Sequence, residues 1–174
     1  GSDFTLGLVQ GKLQEHRLDA RLDLHPVKPR DVVKIGPFEV EFIQVTHSIP
    51  GAMSLAIRTP VGLVIHTADF KIDQTPVDGR LFDFPRLGQF GDEGVLVLLG
   101  DSTNSEREGF TPSERRVGEA LEPILRRARG RVMLATFASH IHRVQQILDA
   151  AAANKKRVCL VGRSLLQNTK VAER

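Results

Sequence analysis

Three apolar runs in this chain lead to side chains that can bind a metal ion: "VEFIQVTH" ends on His47, "VIHTAD" on Asp69 and "GVLVLLGD" on Asp101. Imidazole and carboxylate together suit a divalent cation such as zinc or manganese, and a carboxylate can bridge two of them. Two ions roughly 3.5 to 4 Å apart can acidify a water and stabilise both oxygens of an in-line attack on a phosphodiester. Each residue also has an ordinary reading, as a histidine closing a strand end or an aspartate opening the next turn. One such ending carries little. Three suggest a common rim, because ligands of layered α/β folds bind at the carboxyl ends of strands. His66 precedes Asp69 by three residues, so strand alternation puts it on the opposite face, and we read it as structural.

A second constellation lies near the C-terminus. The turns "TFASH" and "GRS" each deliver a hydroxyl, Ser139 and Ser164, to an expected helix start, with Arg143 and Arg163 close in sequence. Free N–H groups and the macrodipole at such a start favour an anion such as phosphate, although plain N-capping explains either serine alone. Phe137 is either core or a platform on which a base could stack. The single cysteine, Cys159, sits in the apolar run "RVCLVG"; it excludes an internal disulfide and is read as a small buried hydrophobe.

The elements that would position these residues follow from local pattern. "DFTLGLVQGKLQEHRL" reads as an amphipathic helix capped by Ser2 or Asp3. Residues 32–45 form two β-type runs around Gly36-Pro37, and "MSLAIRTPVGLVIHTADF" repeats the arrangement around Pro60, Val61 and Gly62. A loop over 71–94 leads to "GVLVLLGDSTN", whose unbroken apolar core predicts a strand buried on both faces. After Asn104 the grammar changes. Thr111, Pro112 and Glu114 compose a capping box for a helix closed by Gly130. Strand "RVMLATF", helix "SHIHRVQQILDAAAANK" and strand "RVCLVG" then make a βαβ unit with a parallel pair, followed by a helix near Ser164.

Bulk properties narrow the class. The 174 residues are 41% hydrophobic and 26% charged, enough for one domain or parts of two. No apolar run approaches the ~20 residues that span a bilayer, so no membrane partner is expected and the chain is read as cytosolic. A formal charge of +3 is compatible with a polyanionic partner without demanding one.

Taken together, "VTHSIP", "VIHTADFKIDQTPVDG", "GDSTNSEREGFTPSERRVG", "ATFASHIHRVQQILDAA" and "VGRSLLQN" resemble the bacterial ribonuclease J family, in the β-CASP group of metallo-β-lactamase-fold nucleases. The resemblance covers nearly the whole chain in order. It implies an α/β architecture: part of an αββα metallo-β-lactamase sandwich over residues 1–107, then the start of a βαβ β-CASP insertion over 108–174. It implies a metal-dependent 5′-to-3′ exo- and endoribonuclease of RNA processing and decay, with two divalent ions, zinc first and manganese second. His47 then corresponds to a metal-ligating histidine, Asp69 to the aspartate bridging both metals, and Asp101 to the acidic residue closing the first domain. Phe137, Ser139, His142 and Ser164 become candidate contacts to the 5′ end of RNA, a 5′-monophosphate being preferred, and a homodimer or higher homo-oligomer is expected. The alternatives are a β-CASP nuclease acting on DNA, whose site need not sense a 2′-hydroxyl, and a non-catalytic RNA-binding module.

Two local departures are small: Ala68 stands where glycine is expected, and His140 where asparagine is common. A larger one is the absence of the family's H-x-H-x-D-H cluster, so the chain reads as an internal segment of a longer enzyme. His47 and Asp69 are two ligands where each ion wants four or more. The isolated chain is therefore expected to bind zinc or manganese weakly and to leave RNA uncut. Tight stoichiometric binding in a calorimetric titration, or cleavage of an RNA oligomer, would contradict this.

Overall fold

The structure is a computed structural model that describes residues 1–18 and 22–173. It is mixed α/β and divides into two compact units. Unit 1 comprises Gly1–His47, Gly51–Ile72 and Arg80–Phe110; unit 2 comprises Ser48–Pro50, Asp73–Gly79 and Thr111–Arg174.

Unit 1 is built on a sheet in the order β1-β2-β3-β4-β5: Val32–Ile35, Phe38–Gln44, Met53–Thr59, Gly62–His66 and Val97–Leu99. The first four strands pair antiparallel, as the two turn signals require, and β4 pairs parallel with β5. Gly36 takes φ +57° between β1 and β2, a conformation open to glycine at no steric cost. Helix α1 (Asp3–Glu15) is capped by Ser2, whose Oγ accepts from Thr5 N.

The expected 71–94 loop contains a helix, α2 (Phe84–Glu93). Asp83 caps it by accepting from Arg86 N, with Pro85 in the first turn. Gly88 and Gly91 hid it from a reading by propensity. Its Phe90, 1% exposed, completes a core with Ile43, Ala56, Leu63 and Ile65, and Leu87 packs alongside. The Arg86 guanidinium lies 4.3 Å from the Phe90 ring centroid and meets the buried Glu41 carboxylate with two bonds of 2.6 Å. Strand β5 departs from expectation in the other direction. Val97, Leu98 and Leu99 are exposed; among the described residues β5 pairs with β4 alone and lies at the edge of the sheet.

Unit 2 carries α3 (Arg115–Arg127), α4 (Ile141–Ala153) and α5 (Arg163–Ala172). Helices α3 and α4 pack through Leu121, Leu125, Ala150 and Ala151. Gly118 N donates to Gln146 Oε1 at 2.9 Å, and a Cβ at Gly118 would collide with that oxygen. The start of α3 differs from the capping box read in the sequence. Asp73, from a distant loop, accepts from Glu114 N at 2.9 Å and Ser113 Oγ at 3.0 Å, so one N–H at the helix start is met there and the helix begins after Thr111 and Pro112.

The runs 131–137 and 157–162 form no strand ladder among the described residues, so the expected parallel pair is not seen. Both runs instead line a cavity of about 740 Å³ together with residues of α3, α4 and α5. Cys159 is exposed rather than buried, in a run that has no strand partner among the described residues.

The cap of α4 is His140, not Ser139: Nδ1 of His140 accepts from Arg143 N at 3.3 Å. Its Nε2 lies 3.3 Å from Glu114 Oε2, and Glu114 also takes two bonds from the Arg143 guanidinium. Both ring nitrogens are therefore employed in the neutral form, one accepting and one donating. Burial pushes the His140 pKa below 6.5, outweighing the raising effect of Glu114.

Two measurements test this packing. Phe90→Ala should cost about 3–5 kcal/mol in urea unfolding, whereas Leu98→Ala, on the exposed edge, should cost less than about 0.5 kcal/mol. For His140 the unfolded state takes up its proton first. Stability is then full above about pH 6.5 and is lost as pH falls through the depressed folded value. His140→Asn keeps a capping acceptor without a titrating proton, so it should flatten the acid limb of Tm against pH.

Candidate functional site

The strand ends of unit 1 meet at a short turn, Thr67 to Phe70. Thr67 N donates to Leu99 O at 3.0 Å, carrying the β4–β5 pairing one residue past the strands. Asp101 N donates to Thr67 Oγ1 at 2.9 Å, and the buried Ser54 Oγ donates to Thr67 O. Ala68 takes φ +52°, which turns the chain sharply before Asp69 and explains why glycine was expected at this position. On the far side, Lys71 N donates to Thr46 O at 2.7 Å, and Thr46 Oγ1 donates to Lys71 O. The end of β2 is thus fastened beside the segment that follows Asp69.

His47 and Asp69 are brought together by this arrangement. His47 Nε2 lies 3.9 Å from Asp69 Oδ2; the imidazole is 29% exposed and the carboxylate 82% exposed. Asp101 is near by but differently employed. Its Oδ1 accepts from Thr103 N at 2.9 Å and its Oδ2 from Phe70 N at 3.5 Å. The Thr103 bonds chiefly hold its carboxyl below the usual carboxylate range, with His47 adding a small electrostatic share. It behaves as the turn-opening aspartate of the ordinary reading while also fixing the turn that presents Asp69.

The donor chemistry fits part of a divalent site. The nitrogen and the oxygen are 3.9 Å apart, wider than the about 3.4 Å between two ligands of a tetrahedral zinc ion, so the exposed Asp69 side chain would have to close in for both to reach one ion. Among the described residues, no group of three or more His, Cys, Asp or Glu is placed to hold a metal.

The second set of candidates lies in unit 2. Phe137 is 80% exposed, so it is not core. Ser139 is exposed on the turn into α4, beside the capping His140. Ser164 is in the first turn of α5, whose cap position is Gly162 with φ +117° and no side-chain cap bond. Asn168, one turn further along α5, donates to Ala138 O at 2.9 Å and ties that helix to the 137–140 turn. His142 is mostly buried, with Nε2 3.8 Å from Asp78 Oδ2.

Sequence reasoning missed Thr67, Asp73 and the partner of His66. His66 Nδ1 accepts from Ala68 N at 3.0 Å, so it acts on the turn that holds Asp69. The structural reading of His66 stands, but alternation could not name its partner, because β4 ends at His66 and the backbone turns at Ala68. For Asp73 the signal would have been an acid close after the "TADF" turn, but nothing local says which helix it caps.

Comparison with known proteins follows the same lines. Residues 129–174 match the family described as Ribonuclease J, beta-CASP domain. Ribonuclease J of Mycolicibacterium smegmatis is 49% identical over 172 residues, covering 99% of this chain and 30% of the relative. Ribonuclease J of Thermus thermophilus is 43% identical over 174 residues, with coverage of 99% and 30%. That of Synechocystis sp. is 47% identical over 167 residues, covering 95% and 26%. The chain thus spans about 30% of the length of the first two relatives. A crystal structure of a protein of unknown function from Enterococcus faecalis V583 shares the fold, with TM-score 0.61 and 16% identity over 85% of this chain and 38% of that one. Along nearly its whole length the chain is homologous to ribonuclease J, and its residues 129–174 match the β-CASP domain of that family.

Proposed function

We propose that the chain is part of a metal-dependent ribonuclease acting in RNA processing and decay, and that its own contribution to the metal site is the pair His47 and Asp69. The observation that carries this reading is the approach of His47 Nε2 to 3.9 Å from Asp69 Oδ2 on a fastened turn, in a chain homologous to ribonuclease J. A divalent ion, zinc first and manganese second, would supply Lewis acidity and lower the pKa of a water beside the phosphodiester. His47 would hold one ion through Nε2. Asp69, the more exposed of the two, would be the pair's carboxylate ligand. Asp101 would act by holding the Phe70 and Thr103 N–H groups, which keeps Asp69 in place.

In unit 2 the same reading assigns RNA contacts to Phe137, as a stacking ring, and to Ser139 and Ser164, as phosphate partners at helix starts. His142 is the weakest of the four, since its Nε2 already faces Asp78. A 5′-monophosphate preference, combined exo- and endonuclease action, a homodimeric or higher state and a cytoplasmic location belong to the same proposal.

In the complete protein, Asp69→Asn and His47→Ala should each lower cleavage of a 5′-monophosphorylated RNA oligomer by at least about 100-fold, the upper end for groups that only orient a ligand. A matched DNA oligomer should stay intact. Undiminished cleavage by Asp69→Asn would remove the metal role, and equal cleavage of DNA would move the substrate to DNA.

A further inference from the structure

The Asp69 carboxylate is largely exposed, so its direction depends on the backbone that carries it. That backbone is unusual at one point. Ala68 is a non-glycine residue at φ +52°, where a Cβ crowds the adjoining carbonyl oxygen. An alanine stays in that region only when its surroundings over-determine it. Four contacts do so: Thr67 O is held by Ser54, Thr67 N by Leu99 O, Ala68 O by Thr67 Oγ1 at 2.9 Å, and Ala68 N by His66 Nδ1 at 3.0 Å. Only the last is made by a side chain to the N–H of the strained residue itself. His66 sits at the end of β4, opposite Leu55 in β3 and Leu99 in β5, so its main chain is fixed by ladders on both sides. Its ring is thus a rigid arm reaching forward from the sheet to the turn.

We propose that His66 is a positioning residue: by accepting from Ala68 N it holds the left-handed turn and so sets the direction in which Asp69 presents its carboxylate. The proposal rests on the reading of Asp69 as a metal ligand, and the experiment separates the two. Residues that orient a ligand typically cost 10- to 100-fold in metal affinity when removed. Asparagine can place an amide oxygen where Nδ1 stands, and glycine at position 68 would remove the need to hold a strained residue.

The test measures Mn²⁺ affinity calorimetrically in the complete protein, with Tm in chelator as a check on folding. Asp69→Asn should weaken Mn²⁺ binding by roughly tenfold or more, His66→Ala by about tenfold, and His66→Asn by less than about threefold. In an Ala68→Gly background, the loss caused by His66→Ala should shrink to less than about threefold. Wild-type affinity in His66→Ala beside a weakened Asp69→Asn would overturn the positioning role and leave the ligand reading standing. An unchanged Asp69→Asn would overturn both. Should His66→Ala lower Tm in chelator so far that it does not fold, the decision passes to His66→Asn. Near-normal affinity there supports the proposal, and a full tenfold loss overturns it.

Discussion

The hydrogen bond from Thr67 N to Leu99 O is the constraint on which the rim of unit 1 depends. It extends a parallel ladder, and a parallel ladder brings the same ends of two strands to the same edge. Asp101, far from Asp69 in sequence, reaches the turn that carries Asp69 beside that pairing. Once Thr67 is seated, its hydroxyl accepts from Asp101 N, its carbonyl accepts from Ser54 Oγ, and Asp101 Oδ2 accepts from Phe70 N. Each such bond contributes about 0.5–1.5 kcal/mol net, no more than ordering one backbone residue costs. No single bond therefore holds the turn. The set does, because each bond forms at little further entropic cost once its neighbours are made.

Elsewhere in unit 1 charge locates what the apolar core stabilises. Phe90 gives α2 its reason to dock, but an apolar contact is non-directional. Direction comes from Arg86, which reaches the buried Glu41 while lying over the Phe90 ring, and from Asp83, which caps α2 and takes two bonds from Arg30. The Arg30 bonds hold the Asp83 carboxyl below its usual range, against the opposing effect of burial. A buried ion pair such as Arg86–Glu41 is weak evidence of net stability. Its consequence here is geometric, since the bidentate fork fixes how α2 is turned against β2.

What was legible in the sequence was local. Alternation and turn residues placed β1 to β4, and Ser2 placed the start of α1. The three strand-end residues were legible as candidates, because residue type and strand termination are both sequence properties. Long-range hydrogen bonding was not legible. Asp73 meets the start of α3 from a loop 40 residues before Ser113, a partner that the local signal at Thr111 cannot reveal. Strand period predicts a structural His66 but not its partner, because β4 ends there and Ala68 turns the chain back to its ring. The apolar runs 131–137 and 157–162 have strand composition without ladder partners among the described residues. Composition reports the environment a run is suited to, and burial reports the one it has.

Asp69 and Asp101 show how two residues of one type, both just beyond the ends of paired strands, come to different chemistry. Asp101 commits its oxygens to backbone N–H groups, so its negative charge serves the fold; Asp69 leaves its carboxylate exposed beside an imidazole. The direction of the Asp101 shift follows from this use. Its folded pKa is depressed, so the stabilisation it gives is present above the unfolded value and is lost only as pH falls through the lower folded one. The turn is therefore held at any pH above the ordinary carboxylate range. A site that presents an exposed carboxylate beside an imidazole is served by a scaffold whose own charge is committed to backbone N–H groups.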